Sequence, residues 1–345
     1  MSSPKAVIVT PAPPASRSGN RNTAVRWARI LRDLGCRATI ATAWDGRPCD
    51  LLVALHARKS RAALQAFRTR HPDRPAILAL TGTDLYRDIR CDAGSAASLD
   101  LASHLIVLQE EALNELTAVQ RRKARVIHQT VATALTHAPT VRGFRLCVLG
   151  HLREEKDPFR IVAALGRLKG EGLEVIHAGK ALSPAMAAAA RRHMLTDPRY
   201  RWVGELPHWK AMRLLARCQA MVISSLMEGG AHVVSEAIAL GVPVIASDIP
   251  GNRGLLGNRY PALYPAGDAA ALAHLIRRAM DEPGYLQSLA AAIRRRRGLV
   301  DPERERQAWR KLLVDCGLRI AAEPARSQSQ TRDASSSRTG RKLRR

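Results

Sequence analysis

The feature that most constrains the fold of this 345-residue chain is a regular alternation of short apolar runs with longer amphipathic segments. The apolar runs are continuous, as in KAVIV (5–9), LLVAL (51–55) and AILAL (76–80). Between them, apolar residues recur at helical spacing. Continuous apolar strands separated by helices are typical of a parallel sheet that is covered by helices on both faces. The sequence therefore predicts an α/β fold.

The alternation occurs twice along the chain, because it restarts at FRLCVLGHL (144–152). There a helix is predicted after Asp157, with Asp157 as N-cap and Pro158 at the first position. We expect two Rossmann-like domains, at residues 1–140 and 141–299. An amphipathic helix at 300–320 follows and could return to the first domain. Residues 321–345 are polar and rich in Arg and Ser, which predicts a disordered basic tail.

Composition excludes several classes of protein. No run of 18 apolar residues is present, so no membrane span is expected, and the first residues lack the features of a secretory signal. Six scattered cysteines without a CxxC pair argue against a zinc finger and favour the reducing cytoplasm. The formal net charge of +25 is carried partly by Arg runs such as AAIRRRRG (291–298), which are typically solvated faces. Such charge would attract anionic substrates.

Two glutamates eight positions apart stand out in this basic chain. Glu228 follows the apolar run AMVISS (220–225), and Glu236 lies in the next predicted helix. Ligands of doubly wound sheets bind at the carboxyl ends of strands. Gly229 and Gly230 would let the backbone approach a ligand and present N–H groups to it. Carboxylates accept hydrogen bonds from vicinal hydroxyls, so both glutamates could hold one elongated ligand.

Three loops of the first half also fall at the carboxyl ends of predicted strands, and all are polar or basic. A Gly-containing basic loop at a helix N-terminus can hold an anion. Each loop has a simpler explanation as well: a buried core histidine, a solvated helix start or an Asp N-cap. The loops contain Arg17, Ser18, Gly19, Asn20 and Arg21 after strand one; His56, Arg58 and Lys59 after strand three; and Thr81, Gly82, Thr83 and Asp84 after strand four.

The string E-G-G-x(5)-E-A-x-A-x-G-x-P-V-I-A-S, from Glu228 to Ser247, resembles the donor site of retaining-type nucleotide-sugar glycosyltransferases with two Rossmann domains, the GT-B architecture. The resemblance implies that Glu228 contacts the donor sugar and Glu236 the ribose. It also implies that Gly229 and Gly230 face the sugar or the phosphates.

Two further segments extend this resemblance. In LGHLREEKDPFR (149–160), Lys156 matches a diphosphate-binding lysine, but His151 stands where the family has an arginine. Arg153 could supply the missing charge. The segment GELPHW (204–209) resembles the loop that lies against the nucleotide base, with Gly204 and Leu206 as its candidate contacts.

Four segments of the chain are similar in sequence to the selenosugar synthases of selenoneine biosynthesis. They are SGNRNTAVRWARILRDLG (18–35), LHARKS (55–60), LTGTDLYRDI (80–89) and LGHLREEKDPFR (149–160). The resemblance implies transfer of a hexosyl group, expected to be N-acetylglucosamine, from a UDP-sugar to selenophosphate. Forked Arg donors suit such an anionic acceptor. The three loops of the first half would then bind the acceptor, and His56, Asp84 and Glu228 are the candidate catalytic residues.

No cofactor other than the UDP-sugar co-substrate is expected. No metal is expected either, since no Asp-x-Asp stands at a strand end and a positive cleft can neutralise a diphosphate. Two alternatives stay open. One is a conventional GT-B glycosyltransferase with a glycan, lipid or small-molecule acceptor. The other is a basic RNA-associated protein, although nucleic acid is not the expected partner. The residues themselves do not separate glucose from N-acetylglucosamine donors, and they predict neither the anomeric outcome nor the oligomeric state.

Overall fold

The computed structural model describes residues 3–140, 143–169 and 172–321 and contains two parallel sheets of six strands each. The first sheet has the order β2-β1-β3-β4-β5-β6 and comprises β1 (Lys5–Val9), β2 (Arg37–Ala41), β3 (Leu51–Leu55), β4 (Ala76–Ala79), β5 (His104–Val107) and β6 (Ala124–Val126). The second has the order β12-β11-β10-β7-β8-β9 and comprises β7 (Phe144–Leu149), β8 (Leu173–Ala178), β9 (Tyr200–Trp202), β10 (Ala220–Ile223), β11 (Val244–Ser247) and β12 (Leu263–Tyr264). The predicted α/β fold with two Rossmann-like sheets is confirmed.

Helices connect the strands and cover both sheets. In the first domain they are α1 (Gly19–Asp33), α2 (Arg61–Arg70), the single turn α3 (Ile89–Cys91), α4 (Ala93–Leu101) and α5 (Ala118–Arg122). In the second they are α6 (Arg160–Leu165), α7 (Pro184–Thr196), α8 (His208–Ala216), α9 (His232–Leu240), α10 (Pro250–Leu256), α11 (Ala269–Asp281) and α12 (Pro283–Arg295), and α13 (Pro302–Asp315) follows them. None of the described helices is both long and apolar enough to cross a membrane.

Alternate residues of the first sheet enter two different cores. In β3, Leu51, Val53 and Leu55 pack on one face, and Leu52 and Ala54 pack on the other. This division follows from the two-residue period of a strand. Because both faces are covered, the strands are apolar throughout, which explains the continuous runs in the sequence.

The last described helix, α13, belongs to the core of the first domain. Its residues Trp309, Leu312 and Leu313 are fully buried there, and the Trp309 ring packs edge-on against Trp27 of α1 at a centroid distance of 5.0 Å. The chain therefore passes from the first domain to the second and returns, so two crossings join the domains.

Two local predictions need correction. Helix α6 begins after Phe159, and Asp157 is not its N-cap. Asp157 instead has a left-handed backbone (φ 42°), and its carboxylate accepts a hydrogen bond of 2.7 Å from Arg160. The Arg run at 294–297 is only partly a solvated face, because Arg296 donates to the Gly254 and Leu255 carbonyls near the end of α10. The predicted disordered tail lies outside the described residues, apart from position 321.

The strand orders determine where a ligand site can form. In each sheet the order reverses once, between β1 and β3 in the first and between β7 and β10 in the second. Loops that leave such a pair of strands diverge and open a crevice at their carboxyl ends. The predicted loops after β1 and β3 and both glutamates after β10 follow strands of these two pairs, and the loop after β4 follows the strand next to β3.

Candidate active site

A cavity of about 500 Å³ lies between the two domains at the carboxyl ends of their strands. Loops after β1, β3 and β4 form one wall, and loops after β7, β9 and β10 together with α9 form the other. Most of the predicted site residues meet here. Those that line the cavity are Arg17, Gly19, Asn20, His56, Lys59, Thr81, Gly82, Thr83, His151, Arg153, Lys156, Leu206, Glu228, Gly230 and Glu236. Those outside its lining are Ser18, Arg21, Arg58, Asp84, Gly204 and Gly229.

Glu228 lies in the second wall and is largely buried, with 8% of its surface exposed. Its Oε1 atom accepts a hydrogen bond of 2.7 Å from the Ser225 hydroxyl and forms an ion pair with the Lys156 ammonium. The residues that the sequence assigns to sugar and diphosphate are therefore adjacent. An ammonium has three donors, so Lys156 can keep this contact and still donate to a phosphate.

The Gly-Gly pair after Glu228 also serves the contact between the domains. A Cβ atom on Gly229 would lie 2.5 Å from the Thr81 carbonyl carbon, and one on Gly230 would lie 2.7 Å from Leu108 Cβ. Both distances are shorter than any side chain tolerates. Backbone of the first domain thus lies directly against this loop, a requirement that the sequence interpretation did not include.

Glu236 is held by two imidazoles. His208 Nε2 lies 2.8 Å and His232 Nδ1 3.2 Å from the same oxygen, Oε1. Burial raises the pKa of the Glu236 carboxyl, but these hydrogen bonds lower it by more, so the pKa is about 2 instead of 4.5. The hydrogen bond to Glu236 in turn raises the pKa of His208. Among the described residues no hydrogen bond reaches Glu236 Oε2.

His56 lines the cavity in the first wall, whereas Asp84 lies behind that lining. His56 has a left-handed backbone (φ 79°), and its Nε2 lies 3.2 Å from the Thr83 hydroxyl. Burial lowers the pKa of His56, which favours the neutral imidazole. Asp84 is fully buried, and its carboxylate accepts hydrogen bonds of 2.8–3.0 Å from the backbone N–H groups of Ala57, Thr81 and Gly82. Asp84 therefore fixes the loops after β3 and β4 from behind the wall.

On the side of the cavity predicted to bind the diphosphate, the positive charge comes from Arg153 and Lys156 and not from His151. The His151 Nδ1 atom accepts a hydrogen bond of 3.1 Å from the Lys180 backbone, and burial lowers its pKa, so the ring is neutral. Arg153 and Lys156 line the same region. No group of three or more His, Cys, Asp or Glu side chains that could hold a metal occurs in the described part of the chain.

The sequence interpretation missed several residues of the site. His232 lies four residues before Glu236 in α9, and i,i+4 spacing places both side chains on one face, so this partner could have been predicted. His208 lies in the segment GELPHW (204–209), of which only Gly204 and Leu206 were candidate contacts. Glu205 lies in the same segment, and its carboxylate is 4.0 Å from Arg17 across the cleft, a contact that depends on how the two domains pack.

The fold and the position of the site define a two-domain GT-B architecture, in which a cleft between two Rossmann-like domains holds the ligands. Comparison with known proteins adds to this. Residues 139–296 match the family model described as glycosyl transferases group 1. This segment covers the second domain, which includes Glu228 and Glu236.

Curated relatives match less than half of the chain. A glycogen synthase from Mycobacterium tuberculosis is 31% identical over 156 residues, which are 44% of this chain and 37% of that protein. The putative teichuronic acid biosynthesis glycosyltransferase TuaC from Bacillus subtilis is 32% identical over 136 residues, 39% of this chain and 32% of that protein. The match thus spans about a third of the length of these relatives.

Solved structures match nearly the whole chain. Anabaena HepE, solved with UDP and glucose, has a TM-score of 0.74 at 16% identity, with 90% of this chain and 100% of that chain covered. Sucrose-phosphate synthase from Thermosynechococcus elongatus has a TM-score of 0.72 at 18% identity, with 91% and 100% covered. At these identities the likeness establishes the common fold of both domains.

Proposed function

We propose that the protein is a glycosyltransferase that moves a hexosyl group from a UDP-sugar to a small anionic acceptor, namely selenophosphate, in the cytoplasm. One observation carries the proposal: a single cavity has two buried carboxylates, Glu228 and Glu236, on one wall and the cations Arg17 and Lys59 on the other. The carboxylates suit polyols and the cations suit an anion.

The second wall fits an activated sugar. Glu236 is ionised at neutral pH, and its Oε2 would accept hydrogen bonds from the ribose hydroxyls. Glu228 would bind hydroxyls of the transferred sugar. Arg153 and Lys156 would neutralise the diphosphate as it leaves, which is the main electrostatic demand of the reaction. The group 1 family match and the UDP and glucose bound by HepE support this assignment.

The first wall fits an anion. Helix α1 points its N-terminus at the cavity, where Gly19 and Asn20 form part of the lining. The partial positive charge of a helix N-terminus adds to that of Arg17 and Lys59. Thr81 and Thr83 line the same cavity. A neutral alcohol acceptor would not require this charge.

In the transfer step, the selenium atom of the acceptor forms a bond to C1 of the sugar and keeps its bond to phosphorus, so the immediate product is a sugar with a selenium-linked phosphate. The bond between C1 and the β-phosphate oxygen breaks, and its electron pair leaves with UDP. Selenium anions are strong nucleophiles, so the step needs positioning more than proton abstraction. This agrees with the environment of His56, which is neutral and held by Thr83 in the acceptor wall.

The test is incubation of the full chain with UDP-N-acetylglucosamine or UDP-glucose and selenophosphate, with and without EDTA. We expect UDP and a seleno-sugar by mass spectrometry, at equal rates with and without EDTA. The Lys59→Ala variant should need more acceptor, and the variant of exposed Arg29 in α1, Arg29→Ala, should not. UDP release only with alcohol or glycan acceptors would identify a conventional glycosyltransferase. Salt-sensitive RNA binding without UDP binding would refute the enzyme assignment.

A further inference from the structure

A buried carboxylate lies where the two chain crossings meet. Glu305 of α13 is 1% exposed and accepts hydrogen bonds from Arg26 Nε (3.1 Å), Trp27 Nε1 (2.8 Å) and the Thr130 backbone N–H (3.1 Å). Arg26 and Trp27 belong to α1, and Thr130 belongs to the linker that leaves the first domain. Glu305 thus joins three segments of the first domain beside the second.

Arg26 carries this network into the second domain. Its Nη1 atom lies 3.2 Å from His232 Nε2, and the other ring nitrogen, Nδ1, lies 3.2 Å from Glu236 Oε1. A guanidinium only donates hydrogen bonds, so Nε2 must accept and the proton of the neutral ring must sit on Nδ1. His232 therefore donates to Glu236 because Arg26 donates to His232.

The same nitrogen has a competing partner. The Thr130 carbonyl oxygen lies 3.4 Å from His232 Nε2. Without Arg26, a proton on Nε2 would donate to this carbonyl, and Nδ1 would present a lone pair to the Glu236 carboxylate. The contact that orients Glu236 would then become repulsive.

We propose that Arg26 is a positioning residue for the donor nucleotide. Through the tautomer of His232, Arg26 holds Glu236 Oε1 so that Oε2 faces the ribose hydroxyls. This inference rests on the proposed function, because it assumes that Glu236 binds a ribose. It also links the two domains, because a side chain of the first domain would determine how tightly the second domain binds the nucleotide.

Arg26→Lys separates this role from a purely structural one. A lysine keeps a positive charge beside buried Glu305, which avoids the large cost of an unpaired buried carboxylate. Its point-like ammonium cannot also donate to His232 in the way that the forked guanidinium does. The variant should therefore fold and lose only the link to His232.

The experiment is calorimetric titration of the full chain with UDP and with 2′,3′-dideoxy-UDP. We expect Arg26→Lys to weaken UDP binding about tenfold, or about 1.4 kcal/mol, and to change dideoxy-UDP binding less than twofold. His232→Ala should have the same effect, and the double variant should add nothing further, as expected for one coupled unit. Arg29→Lys, on the same helix, is the matched control and should bind both ligands like wild type.

The outcomes separate the two proposals. If wild type prefers UDP to its dideoxy analogue and Arg26→Lys keeps that preference, the role of Arg26 is overturned and the UDP-sugar site stands. Equal weakening of both ligands in Arg26→Lys would also overturn it, because this would show a general effect on the domain. If wild type binds neither ligand, the proposed function itself fails.

Discussion

At the scale of single residues, the two glutamates differ in what surrounds them. Glu236 is oriented by two imidazoles, whereas Glu228 pairs with Lys156 and Ser225. The second wall thus contains one carboxylate that is held by two imidazoles and one that is paired with a cation of the cavity lining. The two should contribute to different parts of the reaction.

Replacement by glutamine tests this difference. Hydrogen bonds to charged groups contribute about 1.5–3 kcal/mol, so Glu236→Gln should weaken UDP binding by about one to two orders of magnitude. Glu228→Gln should leave UDP affinity nearly unchanged and lower turnover of the UDP-sugar. Titration with UDP and steady-state rates measure the two effects. Equal UDP affinity in wild type and Glu236→Gln would contradict the ribose assignment.

The pair of Glu236 and His208 also predicts how stability depends on pH. The pKa of Glu236 is lowered to about 2 from 4.5, so its contribution to the free energy of unfolding is present above pH 4.5 and is lost as the pH falls towards 2. The pKa of His208 is raised from 6.5, so its contribution is present below pH 6.5 and is lost as the pH rises through the raised value.

Urea unfolding of wild type and His208→Gln across pH 5 to 9 measures the second effect. We expect the difference between the two proteins to be largest at the acidic end and to shrink towards pH 9. A difference that is constant over this range would show that the charge on His208 does not contribute.

At the scale of elements, α13 completes the core of a domain that lies far away in sequence. Trp309 is fully buried against Trp27. Trp309→Ala should therefore lower the free energy of unfolding by about 3–5 kcal/mol, as for other large core truncations. Val314 lies in the same helix but is 58% exposed, so Val314→Ala should change it by less than about 0.5 kcal/mol. Urea unfolding of both variants provides the measurement. Similar losses in the two would show that α13 is not part of this core.

Sequence periodicity predicted most strands and long helices because each depends on neighbours close in the chain. Helices α10, α11 and α12 were not predicted. At α10, Pro-Gly-Asn (250–252) resembles a turn, although Pro is well suited to the first helical position. The rule about strand ends located the loops of the site. The contact between Arg26 and His232 could not be predicted, because 206 positions separate these residues and only the packed fold brings them together.

At the scale of the whole molecule, glycines allow the two domains to meet closely. Gly254 of α10 faces Gln109 of the first domain, and a Cβ atom on it would lie 2.8 Å from Gln109 Cβ. Gln109 is fully buried, and its side chain donates to the Tyr86 hydroxyl and accepts from the Ala112 backbone. It therefore cannot move aside without losing both hydrogen bonds.

Gly254→Ala should therefore hold the domains apart, although alanine normally favours a helix. We expect a larger radius of gyration by small-angle X-ray scattering and lower turnover, because the cavity needs both walls. Gly284 of α12 is the matched control, since a Cβ atom there meets nothing within 4 Å. Gly284→Ala should leave shape and turnover unchanged. An unaltered radius of gyration and turnover in Gly254→Ala would show that the contact between Gly254 and Gln109 can accommodate a side chain.

The return of α13 to the first domain affects the order in which the two domains can fold during synthesis. The ribosome releases the first sheet and α1 early, yet the core that they share on one face of the sheet stays incomplete until residues 302–315 of α13 have emerged. The second domain, whose strands and helices α6 to α12 are contiguous, can complete its own core before that. Nascent chains usually fold from the N-terminal domain onwards. In this protein the second domain, although it is synthesised later, can complete its core before the first domain does.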